Sequence, residues 1–345
     1  MPDQPVPAVG LEDSTHSTKQ IPATNYVDAP ELSVVVPLFN EGVNVPELYR
    51  RLVAALDALW LDYELVFVDD GSSDNTSSLV DELRRRDRRV VPLHLSRNFG
   101  HQPAISAGMA HARGQAVIVM DGDLQDPPEV LGLFVERWRE GHEVVYAVRT
   151  QRKENLLKRA AYFLFYRLLR AVSDLDIPLD SGDFCLMDRK VVDVLNHLPE
   201  RLRFVRGLRT FVGFRQLGVP YPRAAREAGK PKYTFAALLR LAIDGLVSFS
   251  SAPLSLVTYL GGISAGFGAL LLVWLLADAW RHDTAPSGWA AAIVVVLFAS
   301  AAQLLSLGIV GAYVRRIFLE VKGRPTYIVR DGPAEEPPVQ SKGAA

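Results

Sequence analysis

The stretch Met120-Asp121-Gly122-Asp123-Leu124-Gln125-Asp126-Pro127-Pro128 follows the apolar run Ala116 to Val119. A short β-type run ends in carboxylates separated by one glycine, and two prolines open the next element. Carboxylates and an amide at a strand end are hard oxygen donors, suited to Mg2+ or Mn2+ carrying phosphates. The same residues also suit a strand-to-helix turn in which Asp or Gln serves only as a helix cap. An isolated Asp-x-Asp does not decide between the two.

The surrounding elements do more. Short β-like runs at Ser33–Pro37, Glu64–Val68, Val90–Leu95, Ala116–Met120 and Val144–Val148 alternate with helix candidates near 44–59, 76–86, 102–113 and 128–140. That alternation predicts an α/β domain with a largely parallel, Rossmann-type sheet. Ligands of such sheets sit beyond the carboxyl ends of the strands. Here those ends carry Asn40-Glu41, Asp69-Asp70, Ser96-Arg97-Asn98 and Asp121-Gly122-Asp123. Four polar strand ends facing one crevice are harder to explain as caps than any one alone.

The chain has 345 residues and a net charge of −1, so no global basic field points to nucleic acid. The single cysteine, Cys185, excludes an internal disulfide framework and a cysteine metal cluster. Residues 1–30 are polar and proline-containing, without the basic start and apolar core of a secretory signal, and are expected to be disordered, as is the tail from Asp331. Pro253 to Trp280 carries no charge before Asp278, and Trp289 to Val314 carries none. Each is long enough to cross a hydrocarbon core of about 30 Å as a helix. The short connection Arg281–Gly288 makes them an antiparallel hairpin. Lys230, Lys232 and Arg240 precede the first span, and Arg315, Arg316, Lys322 and Arg324 follow the second. The positive-inside rule then places both termini and the large N-terminal domain in the cytoplasm, at the plasma (inner) membrane. Two further segments, Leu156–Val172 with Arg159, Arg167 and Arg170 in one sector, and Thr234–Phe249 with Arg240 and Asp244, fit amphipathic interfacial helices.

Val36-Pro37-Leu38-Phe39-Asn40-Glu41, Val68-Asp69-Asp70-Gly71-Ser72-Ser73-Asp74, Ser96-Arg97-Asn98-Phe99-Gly100 and the Asp121 stretch stand in the order found in inverting family-2 glycosyltransferases of GT-A fold, which the chain resembles over roughly residues 31–330. Ser181-Gly182-Asp183-Phe184-Cys185-Leu186-Met187-Asp188-Arg189 and the C-terminal hairpin narrow the resemblance to the polyprenyl-phosphate group, which contains bactoprenol glucosyltransferases and dolichol-phosphate mannosyltransferases. His101 departs from it, standing where many relatives carry Lys. The resemblance implies a GT-A domain over 31–229, a juxtamembrane segment over 230–252, a membrane hairpin over 253–314 and a cytoplasmic tail over 315–345.

It also implies a nucleotide-diphosphate sugar as donor, UDP ahead of GDP, and a polyprenyl phosphate in the membrane as acceptor. Asp123, with Gln125, would hold Mg2+ or Mn2+ on the donor phosphates, and the ion would act as Lewis acid for the departing diphosphate. Asp121 would serve the ribose or the outer shell of the metal. Asp70 and Glu41 would accept hydrogen bonds from base and ribose, with Pro37 and Asn40 shaping the pocket floor. Asp74 reads equally as a helix-capping acid.

Asp183 is the acid expected at the acceptor. A phosphate monoester has a second pKa near 6 and is largely dianionic at neutral pH, so it needs positioning more than a general base. Cations must accompany it: Arg206 and Arg209 offer guanidinium forks for phosphate oxygens, and Lys230 and Lys232 add point charges. The expected reaction is inverting transfer of a hexose, glucose ahead of mannose or a modified sugar, to the lipid phosphate. Two other classes share parts of the pattern. A processive polysaccharide synthase usually has more spans and a Gln-x-x-Arg-Trp motif, which Arg137-Trp138 does not supply. A non-catalytic nucleotide-sugar-binding scaffold would not need the Asp183 motif. Small residues such as Gly261, Gly262 and Gly266 in the first span leave room for a homo-oligomer.

Overall fold

The structure, a computed structural model, describes residues 29–149, 181–201, 203–221, 252–282 and 289–331. Eight strands form one mixed sheet: β1 (Leu32–Leu38), β2 (Tyr63–Asp69), β3 (Val90–Leu95), β4 (Ala116–Val119), β5 (Val144–Arg149), β6 (Ser181–Asp188), β7 (Gln216–Tyr221) and β8 (Val329–Asp331). Their spatial order is β7-β5-β6-β4-β1-β2-β3-β8. Strand β1 pairs in parallel with β2 and β4, β2 with β3, and β5 with β7; β6 runs antiparallel to both β4 and β5, and β8 antiparallel to β3.

Helices cover both faces. They are α1 (Val45–Asp57), α2 (Thr76–Arg86), α3 (His101–His111), α4 (Leu131–Arg139, entered through a 3-10 turn at Pro128–Val130), α5 (Arg189–His197) and α6 (Val205–Phe211). Strand side chains alternate between two cores as the pleat requires. Val34, Val36, Leu65 and Phe67 pack with Leu48, Leu52 and Leu56 of α1 and Phe134 of α4. Val35, Val66 and Val68 pack with Ile105 and Met109 of α3, Val192 of α5 and Leu208 of α6. Burial on both faces explains why β1 and β2 read as continuous apolar runs.

Pro37 breaks no ladder on the β4 side, because the β4 pairing ends at Val35↔Val119; beyond it β1 has β2 alone as partner. The same register leaves the carboxyl ends of β1, β2 and β4 open at one end of the sheet.

Two long apolar helices follow, α7 (Ala252–His282) and α8 (Trp289–Val321). Within them Pro253–Leu271 and Val295–Val321 meet the length and hydropathy of membrane spans and have none of that surface buried. Phe267 packs on Phe298 with ring centroids 5.3 Å apart, consistent with an antiparallel pair. So much exposed apolar surface marks the hairpin as membrane-associated. Helix α8 runs past the expected end at Val314 and carries Arg315, Arg316 and Glu320 on its last turns. The chain then returns to the sheet: Glu320 accepts the Arg201 backbone N–H at 3.0 Å, Ser96 N donates to Ile328 O at 2.9 Å, and β8 adds an edge strand. The segment expected to be a tail thus contributes a strand. The interfacial-helix expectations for 156–172 and 234–249, and with them Lys230 and Lys232, lie outside the described residues.

Candidate active site

The open strand ends are tied together by their own polar residues. Asn40, at φ 54°, follows β1. Its Oδ1 accepts the Ser73 N–H at 2.8 Å and its own N–H donates to Ser72 Oγ at 2.9 Å, joining the β1 loop to the β2 loop. Glu41 accepts from Asn44 Nδ2 at 2.6 Å. Asp74 accepts from Gly42 N and Thr76 N, a structural role that bridges the β1 loop to the turn entering α2, whose N-cap is Asn75.

Asp70, read from the sequence as an acceptor for base or ribose, is tied into the fold. It is 3 % exposed, and its two oxygens accept Phe99 N–H at 2.7 Å and Gly100 N–H at 2.9 Å. The reason is close approach: Gly71 takes φ +67°, and a Cβ there would stand 2.4 Å from the Arg97 carbonyl carbon, so the loop after β3 lies directly over the end of β2. Asp70 therefore positions the loop that leads into α3.

The Asp121–Asp126 loop turns sharply beneath it. A Cβ on Gly122 would meet Leu38 Cδ2 at 2.5 Å, and Leu124 takes φ 59°. Such a conformation in a non-glycine residue is held by its surroundings and is common at functional sites. Asp126, buried, accepts from the Tyr221 hydroxyl, which anchors the loop to β7. Asp123 Oδ1 accepts the Gln125 N–H at 3.2 Å.

Asp121 is not bound in this way. Its Oδ1 is buried without a hydrogen bond and lies 3.4 Å from His101 Nε2. Burial pushes the Asp121 carboxyl up to about 6, helped by repulsion from Asp126, Asp183 and Asp123 and opposed by His101. A hard cation would relieve both the orphaned oxygen and the crowding of acids, so Asp121 and Asp123 fit a divalent ion. Among the described residues no three His, Cys, Asp or Glu side chains converge as a complete metal cluster. Donor phosphates and water would have to complete the sphere, as Mg2+ in particular prefers.

Asp183, on β6, faces this loop from the neighbouring strand. Its Oδ2 accepts from Gln102 Nε2 at 2.9 Å and lies 3.4 Å from His101 Nε2; its Oδ1 lies 3.6 Å from Arg206 Nη2. Burial works against its charge, but His101, Arg206 and Arg209 outweigh burial and hold the carboxyl at about 2. Desolvation works against charge on the His101 ring, but Asp183 and Asp121 outweigh it and raise its pKa above the ordinary value. The structure thus brings together Asp121, Asp123, Asp183 and Arg206. His101, singled out in the sequence only as a departure, and Gln102, not singled out, complete the cluster. The signal for both was their place in the first turn after the Ser96–Gly100 motif.

Arg209 departs from the expected phosphate fork. It is fully buried, 4.9 Å from the centre of the Tyr146 ring, and its field acts on Asp183. Helix α6 carries it one turn deeper than Arg206, against the sheet. Cys185 is buried, with its thiol pushed up by burial, and behaves as a small core residue.

Residues 33–195 match the sequence profile described as glycosyl transferase family 2. The uncharacterized glycosyltransferase YkcC of Bacillus subtilis (strain 168) is 46 % identical over 87 % of this chain and 93 % of its own length. The chain belongs to glycosyl transferase family 2. Another relative, the SfII prophage-derived bactoprenol glucosyl transferase of Shigella flexneri, is 40 % identical over 87 % of this chain and 97 % of its own. Among solved structures, the mannosyltransferase PcManGT from Pyrobaculum calidifontis, in complex with GDP-Man and Mn2+, matches with a TM-score of 0.41 at 17 % identity, over 86 % of this chain and 79 % of that one. The profile match takes in the glycosyltransferase's Asp121, Asp123 and Asp183 and ends before Arg206, which belongs to the part shared with the full-length relatives.

Proposed function

We propose that this glycosyltransferase moves a hexose, glucose first among candidates, from a UDP-sugar to a polyprenyl phosphate with inversion at the anomeric carbon. The observation that carries the reading is the Asp183 carboxylate, kept ionised among Arg206, Arg209 and His101 beside the donor-side acids, on a chain with an apolar hairpin. Relatives named as bactoprenol glucosyl transferases, similar over nearly their whole length, support the same acceptor class.

Asp121 and Asp123 would hold Mg2+ or Mn2+, and the bound ion would supply Lewis-acid stabilisation of the leaving diphosphate. Pro37, Asn40 and Glu41 line the donor side of the loop cluster, and Asp70 fixes the loop above it. Gln125 stands beside Asp123 as a further oxygen donor for that ion. Arg206 is partly exposed and meets the acceptor phosphate, while Asp183 orients Arg206 and His101. The phosphate oxygen attacks the anomeric carbon from the face opposite the leaving group. The bond from that carbon to the diphosphate oxygen breaks with its electron pair, so an α-linked donor gives a β-linked product. No strong base is needed, because the attacking phosphate is already ionised.

The hairpin holds the site near the lipid phosphate. The basic residues at both hairpin ends support a cytoplasmic domain and cytoplasmic termini, with Lys230 and Lys232 as further acceptor-side cations and residues 31–229 and 230–252 as catalytic and juxtamembrane parts. Gly261, Gly262 and Gly266 face open space and suit packing between copies of the chain.

The test is a donor panel with purified membranes, divalent metal and polyprenyl phosphate. One nucleotide sugar should give an organic-extractable, mild-acid-labile sugar lipid. Absence of product across the panel would sink the proposal.

A further inference from the structure

Gln102 sits in the first turn of α3 and makes two side-chain hydrogen bonds to distant parts of the chain. Its Nε2 donates to Asp183 Oδ2 at 2.9 Å, and its Oε1 accepts the Val205 N–H at 2.8 Å. The pair of contacts fixes the sense of the amide. A flip would set Oε1 against a carboxylate and Nε2 against an N–H. Val205 opens α6, and the next residue, Arg206, returns to the other oxygen of Asp183 at 3.6 Å. Gln102, Asp183, Arg206 and Val205 therefore close a ring.

The start of α3 is itself placed from the donor side, because Asp70 holds the N–H groups of Phe99 and Gly100. One amide thus joins the donor-side loop to the strand bearing Asp183 and the helix bearing Arg206. The cost of misplacement is high here, since a shift of about 1 Å in a positioning group can lower turnover by about 100-fold.

We propose that Gln102 is the positioning residue for the acceptor, setting the Asp183 carboxylate and the start of α6, and with it Arg206, in one fixed relation to receive the lipid phosphate. This rests on the lipid-phosphate function above. Gln102→Met keeps the volume and loses both hydrogen bonds. Gln102→Glu keeps an acceptor for Val205 N–H but sets a second carboxylate against Asp183.

The experiment uses full-length enzyme in detergent, with a polyprenyl phosphate and the active sugar nucleotide varied separately. Both variants should raise KM for the lipid phosphate by about tenfold or more, the loss of roughly one charge-assisted hydrogen bond. KM for the sugar nucleotide and the thermal shift on adding nucleotide diphosphate should stay within about twofold of wild type. If Gln102→Met does not accumulate as folded protein, Gln102→Asn, one methylene shorter, carries the same test. A wild-type KM for lipid phosphate in the variants, or equal losses for both substrates, would overturn the proposal and identify Gln102 as a structural brace. A wild-type enzyme that makes no sugar lipid would overturn the parent function and this role together, so the two failures are distinguishable.

Discussion

Arg209 brings a guanidinium into the fully buried side of α6, where it meets the Tyr146 ring and the Cys185 thiol and has no oxygen acceptor for its three nitrogens among the described residues. A buried charge so weakly paired is costly, and apolar replacements of buried ionic groups are often neutral or stabilising. What it offers in return is its field, which helps to keep Asp183 ionised. Arg209→Met should therefore split stability from activity. Its melting temperature should stay level or rise, while KM for the lipid phosphate rises by about threefold or more, because the Asp183 carboxylate that orients Arg206 loses one of its cations. Arg209→Lys, which keeps the charge, should restore most of that KM. A wild-type KM for lipid phosphate in Arg209→Met would show that Asp183 does not depend on this cation. At this scale the sequence was informative about acids and poor about partners. Asp123 and Asp183 stand out by type and motif. The unequal depth of Arg206 and Arg209, one turn apart on the same short helix, depends on how α6 packs on the sheet, and no local pattern encodes that.

Strands β2 and β3 and helix α2 meet at His94, which is buried. Its Nδ1 lies 3.3 Å from Asp69 Oδ2 and its Nε2 3.0 Å from Asp81 Oδ1. With a carboxylate at each nitrogen, both must donate, which is the imidazolium form. Its pKa is raised above the ordinary 6.5 chiefly by Asp69; Asp69 falls to about 2 because His94, Ser72 and Ser77 outweigh its burial. A raised His stabilises below its unfolded pKa and loses that contribution as pH climbs through the folded value. A depressed Asp stabilises above its unfolded pKa and loses its contribution as pH falls toward about 2. The tie is therefore strongest between about pH 4 and 6.5. The melting temperature lost in His94→Asn should be largest there and shrink at higher pH. A loss that stays constant as pH climbs above about 6.5 would mean that His94 is neutral in the fold. Elements of this kind were legible where alternation was regular: the observed bounds of α2 and β3 coincide with those read from sequence. Strand β6 was read only as a motif, although Phe184 and Leu186 face one core and Cys185 and Met187 the other. Strand β7 carries Gly218 and Pro220, which weaken any strand signal.

The catalytic domain of this molecule is not one continuous stretch of chain. Its outer strand, β8, is made after both membrane helices, and the residues before it bind Arg201 and the Ser96 loop. Sequence reading missed this because a three-residue strand has no periodicity, and because a basic segment after a span reads as a cytoplasmic tail. The arrangement ties the end of α8 to the Ser96 loop that leads over Asp70. It also means that cutting the chain before α7 removes part of the sheet edge. Two soluble forms make the comparison direct: a fragment ending at Ser251, and the same fragment with Glu320–Asp331 rejoined through a flexible Gly/Ser linker of about 20 residues, which spans roughly 25 Å on average. Restoring the strand should raise the melting temperature by about 2–4 °C, the shift expected for about 1 kcal/mol in a domain of this size. It should also tighten nucleotide binding, since Ser96 N regains the Ile328 carbonyl that steadies the donor-side loop. Equal melting and equal nucleotide affinity in the two forms would leave β8 a passive edge, and the link between membrane and donor site would then have to run through the segment that enters α7.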